Sequence, residues 1–162
     1  MNLTVVDGDL LAQDVEVIVN PWNRNIIPWW LLIPQGVSGA IKKRGGYKPF
    51  FELGKQGAIP LGNAVETNAG KLSYKAIIHV AGISMLWRSS EKSVKNSVIN
   101  AMKIIKNRNY KSVAFPLIGA GTGGSNKEKV LSLMKTTLNQ IDYEGIVLIV
   151  RYSRNNSRTT DN

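Results

Sequence analysis

Ser112-Val113-Ala114-Phe115-Pro116-Leu117-Ile118-Gly119-Ala120-Gly121-Thr122-Gly123-Gly124-Ser125-Asn126 is the stretch whose reading decides the fold. Ser112 to Leu117 is short and apolar and reads as a strand. Glycine stands at four of the six positions from Gly119 to Gly124. A helix is predicted from Asn126 to about Ile141, because Val130, Met134, Leu138 and Ile141 fall on one side of it. Ser125 and Glu128 have capping-box spacing, which predicts Ser125 as the N-cap and not a nucleophile. Strand, glycine loop and capped helix together make one α/β unit.

Working outward, Ile146 to Tyr152 is the last predicted strand. On the other side, Ser90 to Arg108 reads as a helix, with Val94, Val98, Ala101, Met102 and Ile105 in one continuous stripe. Ala64 to Thr67 and Lys75 to Val80 read as strands separated by the turn chemistry of Asn68-Ala69-Gly70. Val37 to Arg44 is long enough for two helical turns, ended by Gly45-Gly46. Leu3 to Val6 and Val15 to Val19 are the first two strands, the second stopping at Asn20. Strands alternating with helices imply parallel pairing and a layered α/β fold. No linker or repeat divides the chain, so residues 1–152 are expected to form one domain. Ser153 to Asn162 lacks large apolar residues and reads as a disordered basic tail.

The chain has 162 residues, 43% hydrophobic and 20% charged, which is the composition of an ordinary globule and excludes wholesale disorder. The absence of cysteine excludes disulfides, thiolate metal sites, iron–sulfur clusters and a cysteine nucleophile. His79 is the single imidazole, so a His-rich metal centre is not expected and a Ser-His-Asp triad has no support. A histidine satisfied within its strand is the reading favoured. No secretory leader is visible at the start, and Ile26 to Pro34 falls far short of the ~20 residues of a membrane helix. A cytoplasmic location is expected. A net charge of +10 gathers anions, whether nucleotide, nucleic acid or polyphosphate, although a merely solvated basic surface is the competing explanation.

Three stretches are candidates for chemistry. Gly119 to Gly124 offers backbone N–H groups beside a helix start, at the carboxyl end of a strand, and reads as a phosphate or diphosphate cradle. A tight strand-to-helix turn is the alternative. Gly119, Gly121 and Gly124 satisfy G-x-G-x-x-G, but the glycines come late, and the next strand ends in Arg151-Tyr152 without the expected acidic residue. A dinucleotide dehydrogenase is therefore disfavoured. Asn20-Pro21-Trp22-Asn23 lies just past a strand end, where two amides can either bind a ribose or pin a turn. Asp7-Gly8-Asp9 reads as a turn whose carboxylate can accept from an exocyclic amine. Trp22, Trp29 and Trp30 either stack on a ligand or cover the core, the second being preferred.

Four blocks in order resemble the macro domain family. Gly8-Asp9-Leu10 with Val17-Ile18-Val19-Asn20-Pro21-Trp22-Asn23 is similar to its G-D-I … I-V-N-A-A-N opening. Gly36-Val37-Ser38-Gly39-Ala40-Ile41 resembles its G-V-D/A-G-A-I loop and helix start. Thr67 to Leu72, with Ile77-Ile78-His79-Val80-Ala81-Gly82, resembles its T-x-A-x-x-L … I-I-H-x-V-G-P block. Ala114 to Gly121 resembles A-F-P-x-I-S-x-G. The resemblance implies a three-layer α/β/α domain with a mixed, mostly parallel central sheet and a cleft for ADP-ribose or an ADP-ribosyl derivative. It implies that Asp9 and Leu10 meet the adenine, and that Val37, Ser38, Gly39 and Ala40 lie against the diphosphate. Gly119, Ala120, Gly121, Thr122, Gly123 and Gly124 would wrap its other side. Asn23 would contact the distal ribose and be the catalytic residue, with Asn20 of the same stretch as a further ligand-contact candidate.

The departures from the family are local. Ile33-Pro34-Gln35-Gly36 carries one glycine where many hydrolytic members have three or four. Ser38 stands where one hydrolase class has aspartate and other active members alanine. The segment Arg24 to Gln35 is longer than usual, and its Trp29 or Trp30 is a candidate for the aromatic stack that Thr122-Gly123 does not supply.

The resemblance implies a hydrolase that needs neither metal nor cofactor, with a water activated by a substrate phosphate and positioned by Asn23. Its reactions would be de-ADP-ribosylation, O-acetyl-ADP-ribose deacetylation or ADP-ribose 1″-phosphate dephosphorylation. A non-catalytic ADP-ribose reader, or a domain binding RNA or poly(ADP-ribose), is the alternative. A monomer with no membrane partner is expected.

Overall fold

A computed structural model describes residues 1–32, 36–82, 89–120 and 126–153. Six strands, β1 (Asn2–Gly8), β2 (Val17–Trp22), β3 (Ala64–Thr67), β4 (Ala76–Ala81), β5 (Ser112–Pro116) and β6 (Ile146–Tyr152), form one sheet in the order β1-β6-β5-β2-β4-β3. All neighbours are parallel except β3, which runs antiparallel to β4. The helices among the described residues are α1 (Gly36–Gly45), α2 (Lys48–Gly54), α3 (Glu91–Asn107) and α4 (Lys127–Asn139), with short 3-10 turns at Leu10–Ala12 and Trp29–Leu31.

Alternation along the strands sorts side chains between two helical layers. Val17, Val19, Ile78, Val80, Val113, Phe115, Val147 and Ile149 point to one face, where α3 and α4 cover them with Val94, Val98, Met102, Met134 and Leu138. Ile18, Ile77, Ala114 and Val150 point to the other face and meet Ile41 of α1 with Phe50 and Leu53 of α2. Helices thus lie on both faces of a mostly parallel sheet, the three-layer arrangement expected.

Four features differ from the sequence reading, each for a local reason. β2 does not stop at Asn20 but continues through Pro21 to Trp22. A proline there is tolerated because β2 pairs with β5 only at Val17 and Ile18, so by Pro21 it has β4 as its one neighbour. Gly8 and Asp7, read as part of a turn, belong to β1, and Asp9 is instead the N-cap of the first 3-10 turn. α2 is a helix that the periodicity did not reveal, with Pro49 in its first turn. The cap of α4 is Asn126, whose Oδ1 accepts from the N–H groups of Glu128 at 2.9 Å and Lys129 at 3.3 Å, in place of Ser125. Ser125 itself and the predicted tail beyond Ser153 lie outside the described residues.

α3 begins at the N-cap Ser90, whose hydroxyl and that of Ser93 exchange bonds with each other's backbone N–H in a reciprocal capping box. α4 relies on a single side chain for the same purpose. Asn126→Ala is therefore expected to lower stability by about 1 kcal/mol, read as a shift in the urea unfolding midpoint at constant slope.

Candidate functional site

Five of the six strands are parallel, so the carboxyl ends of β1, β2, β4 and β5 share one edge of the sheet. In sheets of this kind that edge is where ligands bind. Asp9 and Leu10 follow β1, Asn23 follows β2, and Gly119 and Ala120 follow β5. The fold therefore brings the described members of the predicted set to one side of the molecule. Gly121, Thr122, Gly123 and Gly124 lie outside the described residues.

Asn20 and His79 are paired by register, β2 against β4, on the face covered by α1 and α2. Neither has exposed surface, so each polar atom must find a partner within the protein. Asn20 Nδ2 donates to His79 Nδ1 at 3.0 Å. With Nδ1 accepting, the proton sits on Nε2, which donates to Thr67 Oγ1 at 2.8 Å. The Thr67 hydroxyl passes its own hydrogen to the Asn68 carbonyl at 3.0 Å, and Glu52 of α2 accepts from both the backbone and the side-chain amide of Asn68. At the other end, Ser38 Oγ donates to Asn20 Oδ1 at 3.0 Å. One unidirectional chain of hydrogen bonds thus runs from α1 through β2, β4 and β3 to α2.

That chain fixes the first turn of α1 against the end of β2. Val37, Ser38, Gly39 and Ala40 are half-buried there, and no acidic side chain stands in the turn. The first N–H groups of any helix have no intrahelical partner and carry partial positive charge, so this turn faces the strand ends as an anion-seeking surface. Asn20, expected to contact a ligand, instead has both amide atoms engaged beneath that surface. Asn23 is nearly buried, 8% exposed, and its Oδ1 accepts from the Asn25 N–H at 2.7 Å. Among the described residues its Nδ2 makes no hydrogen bond.

Asp9 uses Oδ1 to accept from the Leu11 N–H at 2.9 Å and Oδ2 to pair with Arg44, at the far end of α1, at 2.5 Å. A carboxylate has about four acceptor positions, so both oxygens retain capacity for an amine. Leu10 is buried, and its carbonyl accepts from Tyr74 at 3.3 Å. Gly119 has φ +76°, and a Cβ placed on it would collide with Ser89, so both backbone conformation and packing require glycine there. The turn alternative therefore accounts for this particular glycine.

The segment before α1 is held by residues that composition did not single out. Asn25 adopts φ +58°, its Nδ2 donates to the carbonyls of Leu53 and Gly57, and its Oδ1 accepts from Trp22 Nε1. Lys42 is buried, with its Nζ 5.3 Å from the Trp22 ring centroid, 4.9 Å from that of Phe50 and 3.2 Å from the Trp29 carbonyl it donates to. Burial holds its pKa below the ordinary lysine value. Trp22 belongs to the core, as preferred from the sequence, and Trp29 packs half-buried against it. Trp30 does not, being 67% exposed.

Complete burial pushes the His79 pKa down to about 3, which leaves the imidazole neutral and able to accept through Nδ1. The folded pKa lies below the unfolded value of 6.5, so stability is present above 6.5 and is lost as pH falls toward 3. The full difference corresponds to about 4–5 kcal/mol. Urea midpoints measured from neutral to mildly acidic pH are expected to fall steeply in the parent protein. In His79→Gln they are expected to start lower and depend on pH less, and parallel curves would refute the assignment.

Comparison with known proteins places these features in context. A family model described as Macro domain matches residues 19–134. A protein of Escherichia fergusonii named O-acetyl-ADP-ribose deacetylase is 32% identical over 166 residues, covering 95% of this chain and 90% of its own. A variant of the Oceanobacillus iheyensis macrodomain, solved with ADPR, superposes with a TM-score of 0.80 at 26% identity over 93% of this chain and 84% of its own. The same macrodomain with ADP gives a TM-score of 0.78 at 27% identity over 93% and 83%.

Proposed function

The chain belongs to the macro domain family, and on that premise we propose that its strand-end cleft binds ADP-ribose or an ADP-ribosyl derivative and hydrolyses it. The observation that carries the reading is the acid-free first turn of α1, anchored by the bond from Ser38 to Asn20 in β2, three residues before Asn23. In this reading the N–H groups of Val37 to Ala40 meet the diphosphate. Gly119 and Ala120, with Gly121 to Gly124, close over its other side. Asp9 takes the adenine amino group, and Leu10 lies beneath the ring.

Asn23 is assigned the catalytic role. Its Oδ1 is held by Asn25, which orients the amide and leaves Nδ2 to donate to the distal ribose or to a water. His79 is spent on Asn20 and Thr67, so the proton of that water is assigned to a substrate phosphate oxygen. On an acetyl ester the water oxygen bonds to the acyl carbon, the bond from that carbon to the ribose oxygen breaks, the ribose oxygen takes up the proton held by the phosphate, and acetic acid leaves and gives its remaining proton to solvent. Removal of ADP-ribose from a macromolecule and of phosphate from the 1″ position are the other hydrolyses that this geometry suits. Catalysis by positioning alone suits a slow enzyme.

A non-catalytic reader is the second reading, favoured by Ser38, whose hydroxyl is committed to Asn20 and supplies no acid or base. Calorimetric titration with ADP-ribose, with AMP as control, tests the cleft, and micromolar binding to ADP-ribose with much weaker AMP is the expected result. On O-acetyl-ADP-ribose and ADP-ribosylated protein, Asn23→Ala is expected to reduce turnover roughly 10²-fold while changing ADP-ribose affinity far less. Binding without turnover on every such substrate would assign the chain to the readers.

A further inference from the structure

The face formed by α2 and the Trp29–Leu31 turn exposes large apolar side chains that none of the described residues covers. Trp30 is 67% exposed, Leu31 61%, Tyr47 61% and Phe51 59%. Tyr47 and Phe51 form one surface, because the Trp29 ring, half-buried beneath it, stacks on Tyr47 at 5.5 Å and 29°, and Phe51 stands one helical turn along from Tyr47, its N–H donating to the Tyr47 carbonyl at 2.9 Å; Trp30 and Leu31 follow Trp29 directly in the same short turn. Contiguous exposed aromatics of this kind mark an interaction site.

The charge around them is one-sided. From Pro21 to Asn63 the sequence holds six basic residues and a single acid, Glu52, so this quarter of the chain carries half of the net +10. Glu52 is turned to Asn68. Lys43, Lys48 and Lys55 are exposed and form no ion pair among the described residues, and the Lys55 ammonium lies 4.6 Å from the Phe51 ring centroid. Protein–protein interfaces are depleted in lysine. Rings interleaved with free ammonium groups are the combination that holds unpaired bases by stacking and their phosphates by charge.

We propose that the Trp30–Tyr47–Phe51 face binds single-stranded nucleic acid, with the rings stacking on bases and Lys43, Lys48 and Lys55 meeting the phosphates. The surface is built from α2 with its N-cap Tyr47, the last turn of α1 that carries Lys43, and the Trp29–Leu31 turn, and it does not depend on what the strand-end cleft holds. A macro domain carrying such a face would be delivered to a nucleic-acid strand while its cleft stays open.

Fluorescence anisotropy of labelled short oligothymidylate and oligouridylate, titrated with the full chain, tests this directly. Binding is expected to weaken roughly tenfold or more between about 50 and 200 mM salt, as about three displaced phosphate counterions require. Phe51→Ala is expected to weaken it roughly tenfold, and the double change Lys48→Glu, Lys55→Glu to abolish it, both leaving the heat of ADP-ribose titration unchanged. A preference between the two oligomers would tell DNA from RNA as the natural strand. The proposal is overturned if neither oligomer binds at low salt, if both variants bind as the parent does, or if free ADP-ribose displaces the strand. Tighter capture by phosphatidylserine vesicles than by either oligomer would assign the face to a membrane surface instead.

Discussion

The hydrogen bond between Asn20 and His79 is the constraint around which the rest of the molecule is arranged. Both side chains are fully enclosed, and an enclosed amide or imidazole without a partner costs about 1–3 kcal/mol. Only the observed β2–β4 register sets them opposite each other; a slip of one residue in either strand would swing its own polar side chain into the apolar layer under α3 and α4 and leave the other unpaired. Once paired, each has one atom left to satisfy. Asn20 Oδ1 reaches up to Ser38 and so locates α1, while His79 Nε2 reaches across to Thr67 and, through Asn68 and Glu52, locates α2.

The two faces of the sheet consequently do different things. The α3–α4 side is a packed apolar layer whose helices carry their stripes inward. The α1–α2 side mixes apolar packing with a polar chain and the enclosed ammonium of Lys42. That ammonium is costly to remove from water, and the rings of Trp22 and Phe50 with the Trp29 carbonyl offset part of the cost. In return the lysine ties the segment before α1 to the helix itself. The predicted contacts Val37 to Ala40 and the exposed aromatics stand on this polar side, whereas Gly119 and Ala120 pack toward α3.

Much of this was legible in the sequence. Helices α3 and α4 and strands β3 to β6 announced themselves by period, since long stripes and apolar runs survive without knowledge of neighbours. The macro domain blocks correctly gave the family and the fold class. What escaped notice depended on tertiary context. α2 has seven residues, too few for a helical period to stand out. The end of β2 is not legible locally, because proline argues against a strand unless the neighbouring ladder has already stopped, and that is a property of β5. Asn20 looked like a ligand contact because an asparagine at a strand end offers the same groups whether it faces a cleft or a histidine. Asn25 carried a faint signal, as asparagine tolerates positive φ better than other side chains. Nothing local distinguished the enclosed Lys42 from the exposed Lys43 beside it.

The placement of β6 has a kinetic consequence. It is the last described strand in sequence yet lies between β1 and β5, holding β1 along seven residue pairs from Asn2↔Ile146 to Gly8↔Tyr152. As the chain emerges from the ribosome, β1 has no place to dock until almost the entire domain has been made. β2, β4 and β5 can associate earlier, with the future seat of β6 left as an open parallel edge. The sheet is therefore completed by insertion rather than by growth outward, and loops of this span slow folding. Until that final strand arrives, the unfilled edge is exposed to pairing with other nascent chains, which is the interval in which a chaperone would matter most.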